Sequence, residues 1–218
     1  MLTGLLGGSF NPAHGGHRRI TKFTINALGL DEAWWLVSPG NPLKPKAGMA
    51  PLATRLRSAQ AQASRAPIIP TTIERELGTR YTVDTLRALQ RRYKSRQFVW
   101  LMGSDNLAQF HRWKDWRAIA RTMPIAVIAR PGYTREAMTS PAMAWFRRNW
   151  VSVADFRTMG QTRLRRAPAL VLLRFDPDHR SATAIRRGNA DWADEYGAPD
   201  TSALRDRLTF KQIREIDA

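Results

Sequence analysis

The chain has 218 residues, 43% of them hydrophobic, and its 35 lysines and arginines against 18 aspartates and glutamates give a formal net charge of +17. That length and apolar content predict one domain with a substantial core rather than two. No segment approaches the roughly 20 apolar residues of a membrane span, the start carries no basic n-region, and its apolar run is cut at Gly7 and Asn11, so a soluble cytoplasmic protein is expected; with no cysteine, disulfides and cysteine nucleophiles are excluded.

In chain order, Met1 to Leu6 is short and mostly apolar and predicts a strand, followed by a glycine-rich loop through Gly7, Gly8, Ser9, Phe10, Asn11, Pro12, Ala13, His14, Gly15, Gly16 and His17. Ile20, Phe23, Ala27 and Leu28 then recur at helical spacing, and Gly29 lies where that helix ends. Ala33 to Val37 reads as a buried strand, Ser38 to Pro51 as a proline- and glycine-rich loop, and Leu52 to Arg65 as a helix. Ile68 and Ile69 predict a short strand, Thr82 an N-cap for a helix carrying Val83, Leu86 and Leu89, and Phe98 to Met102 another buried strand.

Trp113, Trp116, Ile119 and Ala120 predict a further helix, and Ile125 to Ala129 a strand that Pro131 and Gly132 end. A helical piece around Ala142 to Trp150 precedes a basic loop with Arg157, Gly160, Arg163, Arg165 and Arg166. Leu170 to Phe175 is the last clear strand, and Ser181 to Arg187 begins a helix. Strands alternating with helices predict an α/β fold: a doubly wound, mostly parallel sheet covered on both faces, with ligands beyond the carboxyl ends of its strands.

Two segments carry candidate chemistry. In the first, glycines let the backbone approach a ligand, and the helix that follows turns its positive dipole end and unpaired N–H groups the same way, an arrangement suited to phosphate, with His14 and His17 at its mouth. A metal site is the alternative for two histidines three apart, but a closed one needs further ligands, and the chain offers only His111, His179 and carboxylates. In the second segment Ser181 and Thr183 place hydroxyls at a helix start, and Arg186 adds a forked cation that grips phosphate oxygens; an ordinary N-cap with a surface arginine is the other reading. The surplus of base suits a nucleic acid or a small polyanion, but its clusters (Arg18 and Arg19, Arg91 and Arg92, Arg147 and Arg148, Arg163 to Arg166, Arg186 and Arg187) are short and scattered, without a recognisable reading helix or aromatic platform.

His14, Gly15, Gly16 and His17 resemble the HxGH signature of the nucleotidyltransferase superfamily, and Ser181, Thr183 and Arg186 its partner motif ISSTxxR, with Arg180 where Ile is usual and Ala182 where Ser is common. Gly103, Ser104, Asp105, Asn106, Leu107, Ala108, Gln109 and Phe110, with Arg112, Trp113, Lys114, Trp116 and Ile119, resemble the GxDNLxxFxxWxxWxxI segment of bacterial nicotinate-nucleotide adenylyltransferases. Pro39, Asn41, Pro42, Lys44 and Pro45 agree further, as do Tyr81, Thr82, Asp84, Thr85 and Leu86, and Arg130 to Tyr133. The resemblance runs from about Leu5 to Arg187 and leaves 189–218 as a less family-like end of one domain spanning 1–218.

The resemblance implies a Rossmann-like nucleotidyltransferase fold and transfer of the adenylyl group of ATP to nicotinate mononucleotide, giving nicotinate adenine dinucleotide and pyrophosphate in NAD biosynthesis. It implies His17 at the α-phosphate, His14 at the ATP phosphates, and Arg186, Ser181 and Thr183 at the departing β- and γ-phosphates. Gly8, Ser9, Phe10 and Gly103 belong to the nucleotide site, Asp105 accepts from the ribose hydroxyls or caps the next helix, and Thr82 and Trp113 line the nicotinate pocket, where Trp113 stacks on the ring or is core. Lys44 screens phosphate charge or is simply solvated. Magnesium travels with ATP rather than in a dedicated carboxylate cage. Pantetheine-phosphate adenylyltransferase is a rival within the superfamily, but its motif usually has threonine at His14 and lacks the Trp113 and Trp116 segment; a basic nucleic-acid-binding module is the rival from another class.

Overall fold

A computed structural model of the chain describes residues 1–40, 48–129, 134–158, 167–175, 182–189, 191–197 and 204–213. The elements in order are β1 (Leu2–Gly8), α1 (Gly15–Leu28), β2 (Glu32–Val37), α2 (Leu52–Gln62), β3 (Ile68–Thr71), α3 (Ile73–Glu76), α4 (Thr82–Arg92) and β4 (Gln97–Gly103). They continue with α5 (Ser104–Gln109), α6 (Trp116–Thr122), β5 (Ile125–Ile128), α7 (Thr134–Met138), α8 (Pro141–Phe146), β6 (Trp150–Val151), α9 (Val153–Thr158), β7 (Leu170–Leu173) and α10 (Ala182–Gly188).

Every pairing in the seven-stranded sheet is parallel, in the order β3-β2-β1-β4-β5-β7-β6. Because successive side chains of a strand point to opposite faces, each strand feeds two cores. Leu6, Trp35, Val37, Val99 and Leu101 pack with Ile25 and Leu28 of α1, Leu52 and Leu56 of α2 and Phe156 of α9. Leu5, Trp34, Leu36, Trp100 and Met102 pack on the other side with Val83, Leu86 and Leu89 of α4, Ile119 of α6 and Phe146 of α8. The doubly wound parallel sheet read from the sequence is thus the observed one.

The chain starts at β1, winds outward through β2 and β3, and returns to β4 on the other side of β1. That reversal opens a crevice beyond the carboxyl ends of β1 and β4, the usual place for a ligand in such sheets. Gly29 ends α1 with φ 65° and donates its N–H to the carbonyl of Ile25, as the sequence predicts.

Several elements differ from the sequence reading. The helix from Leu52 stops at Gln62, because Arg65 adopts a positive φ of 55°. Tyr81, not Thr82, caps α4; Thr82 is its first residue. Trp113 is in extended backbone between a 3-10 turn at Phe110–Arg112 and α6, so the predicted helix begins only at Trp116. The piece at Ala142 to Trp150 is α8, a 3-10 turn at Arg147–Asn149 and a strand residue, Trp150. Arg157, assigned to the basic loop, lies in α9; Gly160, Arg163, Arg165 and Arg166 fall outside the described residues.

Candidate active site

The loop after β1 is built for close approach. A Cβ on Gly7 would stand 2.6 Å from Cη2 of Trp100, so only glycine lets β1 lie against that indole. Phe10 has a positive φ of 47°, rare for a residue with a side chain. Packing supports it: its buried ring stacks on Trp35 at 5.0 Å between centroids.

His14 and His17 form a reciprocal cap on α1. The N–H of Gly16 donates to Nδ1 of His14 at 3.1 Å, and the N–H of His14 donates to Nδ1 of His17 at 3.2 Å. Their rings lie 3.8 Å apart between centroids. An imidazole nitrogen that accepts a hydrogen bond carries no proton, so the hydrogen-bond pattern assigns the neutral form of both rings as the Nε2–H tautomer. First-turn N–H groups expected to be unpaired are in part occupied: Nδ1 of His14 accepts that of Gly16, and that of His17 donates to the His14 carbonyl at 2.9 Å.

Arg55, absent from the sequence reading, fixes this loop from below. It is 2% exposed; its Nε donates to the Ala50 carbonyl at 2.8 Å, and Nη1 donates to the carbonyls of Ser9 at 2.8 Å and Ser38 at 2.7 Å. Burial lowers its pKa to about 10, which leaves it cationic at neutral pH. One buried guanidinium therefore joins the loops after β1 and β2. The available sequence signal was a charged residue on the apolar face of α2, beside Leu52 and Leu56.

The second motif reaches the first through Arg186. Its Nη1 donates to the carbonyl of Asn11 at 2.5 Å and its Nη2 to Oγ1 of Thr183 at 3.3 Å. Asn11 in turn donates its side-chain N–H to the Gly48 carbonyl and accepts from the N–H of Ala50. Ser181 and Lys44 lie outside the described residues.

A cleft of about 490 Å³ opens beside the loop, its walls including Gly8, Ser9, Ser38, Glu74, Thr82, Trp100 and Trp113. Trp113 is half-buried and meets Trp100 and Phe110 edge-on at 6.5 and 5.4 Å, whereas Trp116 is buried in the core. The two tryptophans, alike in the sequence, are separated by the turn between them: one faces the cleft and the other the sheet. Gly103, not Asp105, is the N-cap of α5; Asp105 is half-buried in its first turn, and Asn106 and Gln109 of that helix reach the cleft. His14, His17 and Arg186 are not among the cleft walls; they gather on the stretch Asn11–His17.

Glu74 is a wall residue that the sequence reading also missed. Thr85 Oγ1 donates to its Oε1 at 3.3 Å, and Ser38 bonds the same carboxyl. Burial pushes its pKa up to about 7, against the pull of those two hydrogen bonds. Nothing in its spacing distinguishes it from Glu76; Glu74 meets Ser38 and Thr85 at the cleft, whereas Glu76 meets Arg92 and Lys211.

Among the described residues, no group of three or more histidines and carboxylates is placed to hold a metal ion.

The cytidylyltransferase-like family model matches residues 5–188. A probable nicotinate-nucleotide adenylyltransferase of Erythrobacter litoralis is 64% identical over 97% of this chain and 94% of that protein. One from Parvibaculum lavamentivorans is 51% identical over 85% of this chain and 91% of its own. In structure, the chain resembles the Plasmodium falciparum nicotinic acid mononucleotide adenylyltransferase complexed with NaAD, with a TM-score of 0.63 at 14% identity over 85% of this chain and 82% of that one. That likeness bears on the fold, while the sequence identities bear on descent. Together with the linked glycine-loop and Arg186 motifs, they place the chain in the nicotinate-nucleotide adenylyltransferase family of cytidylyltransferase-like proteins.

Proposed function

We propose that the protein transfers the adenylyl group of ATP to nicotinate mononucleotide, releasing pyrophosphate and forming nicotinate adenine dinucleotide for NAD biosynthesis, in the cytoplasm, with residues 1–218 working as one unit. The observation that carries the reading is the reciprocal cap of His14 and His17, which holds both Nδ1 atoms as acceptors and so assigns the proton to Nε2 on each neutral ring. The names of the relatives in Erythrobacter and Parvibaculum support the choice of acceptor.

The acceptor phosphate has a second pKa near 6 and is already nucleophilic at neutral pH, so no strong base is required. Its oxygen forms a bond to the α-phosphorus as the bond from that phosphorus to the bridging oxygen breaks, and the electron pair leaves with pyrophosphate. His17 stabilises charge developing on the α-phosphate and His14 contacts the ATP phosphates, both as hydrogen-bond donors. Arg186, with Thr183 and Ser181, receives the β- and γ-phosphates; Lys44 screens their charge. Magnesium bound to the nucleotide supplies further charge neutralisation.

Gly8, Ser9, Phe10 and Gly103 shape the nucleotide site, and Asp105 accepts from the ribose hydroxyls. Thr82 and Trp113 hold the nicotinate ring in the cleft, where Trp113 offers a face for stacking. The test is pyrophosphate release from ATP with nicotinate mononucleotide, nicotinamide mononucleotide or phosphopantetheine as acceptor. Turnover fastest with the first is the expected result; turnover only with phosphopantetheine, or nucleic-acid binding without turnover, would overturn the reading.

A further inference from the structure

Residues 204–213 form a hairpin against the ends of β3 and α3 beside the wall of the cleft. Arg205 pairs with Gln212 in an antiparallel bridge, and the N–H groups of Asp206 and Ile213 donate to the carbonyls of Lys211 and Leu204, each at 2.9 Å. Leu204 and Ile213 are buried in the core shared with α2 and β3. Asp206 between them is fully buried and hydrogen-bonded in two directions.

Inward, Asp206 Oδ2 accepts from the N–H of Thr72 at 2.5 Å, Oγ1 of Thr72 at 3.0 Å and Oγ1 of Thr71 at 2.9 Å. Outward, Oδ1 accepts from the N–H groups of Leu208 and Thr209, both at 2.9 Å. Thr71 ends β3 and Thr72 caps α3, while Thr71 Oγ1 also accepts from the N–H of Ile73. Asp206 thus holds the N-cap residue of α3, Thr72, by both its N–H and its hydroxyl from 134 residues away in sequence, and Thr71, which in turn accepts from the first N–H of α3, from 135. Two residues beyond Thr72 is Glu74, a wall of the cleft. A second tie joins the hairpin to the same helix: Lys211 lies 3.5 Å from Glu76, which Arg92 of α4 also grips.

We infer that the C-terminal hairpin belongs to the acceptor half of the site, with Asp206 a positioning residue that fixes α3 and, through Glu74, the cleft wall against which the acceptor packs. The inference rests on the proposed adenylyl transfer for the identity of the acceptor. An exposed tail would have no reason to bury a carboxylate against the first turn of a cleft-wall helix. A buried carboxylate with five hydrogen-bond donors around it is costly to form unless its geometry is kept.

The test is Asp206→Asn, which keeps the shape but leaves one oxygen to serve two opposed sets of donors. The KM for nicotinate mononucleotide is expected to rise about fivefold or more, the low end of ordinary coupling between sites, while the KM for ATP and kcat stay within about twofold. A purely structural role would move both KM values together. Should this variant fail to fold, the wild-type chain still decides by reciprocity: saturating nicotinate mononucleotide, but not ATP alone, should slow amide hydrogen exchange at Leu208 and Thr209. Equal shifts of both KM values, or exchange at those two amides indifferent to the acceptor, would overturn the inference. Wild-type turnover with nicotinate mononucleotide, measured alongside, bears only on the proposed function, so the two failures are told apart.

Discussion

Arg186 donates a hydrogen bond to the main-chain carbonyl of Asn11, 175 residues earlier, at 2.5 Å. This contact ties the Arg186 motif to the loop that presents His14 and His17. It also divides the guanidinium: Nη1 serves the loop and Nη2 meets Thr183. Arg186→Ala is therefore expected to lose most of the activity and Arg186→Lys to keep only part of it, because an ammonium supplies charge without a planar fork. Steady-state pyrophosphate release decides; a lysine variant as active as the wild type would refute the forked grip.

For His17, replacement by alanine should lower kcat by about 100-fold or more, the usual effect of removing one preorganised transition-state donor. Alanine also deletes the acceptor for the His14 N–H, so His17→Asn is the sharper variant. Its amide oxygen can restore the cap but offers no donor at the Nε2 position. Asparagine is expected to recover thermal stability lost in the alanine variant and little of the rate; recovery of both would leave His17 as a cap alone.

The proposed nicotinate pocket is the cleft between α4 and the turn before α6. Nicotinate carries a carboxylate where nicotinamide has a neutral amide, and hydrogen bonds to a charged acceptor are roughly twice as strong as neutral ones. kcat/KM is expected to favour nicotinate mononucleotide, and Trp113→Ala to raise the KM of the acceptor more than that of ATP. A Trp113 variant weakened toward ATP alone would move the pyridine pocket elsewhere.

Glu74 makes a prediction in pH. Its pKa rises from 4.5 to about 7 on folding, chiefly through burial. Between those values the folded chain binds the proton and the unfolded chain does not, so its contribution lowers stability as pH rises from about 4.5 to about 7 and then levels off. Glu74→Gln removes this contribution. Urea unfolding of both proteins should show the variant gaining on the wild type by up to about 3 kcal/mol more at pH 8 than at pH 5. A difference independent of pH would place the proton elsewhere.

The sequence by itself determined the alternation of strands and helices, the glycine loop with its two histidines, and the separate arginine motif, because these are local patterns of periodicity and conformational need. Gly7, Gly29, His14 and His17 were legible for that reason. What only the tertiary structure decided is which side chains meet across long separations. Arg55 stands out only as a charge on the apolar face of α2 until two loops bring the carbonyls of Ser9 and Ser38 to it, and Glu74 is indistinguishable from Glu76 until Ser38 and Thr85 meet the one and Arg92 and Lys211 the other. Asp206 gave no local signal at all, since its donors come from Thr71 and Thr72 as well as from its own turn. Periodicity reports which face of an element is apolar; burial of a polar group is set by the partner that covers it, and that partner is chosen by the fold.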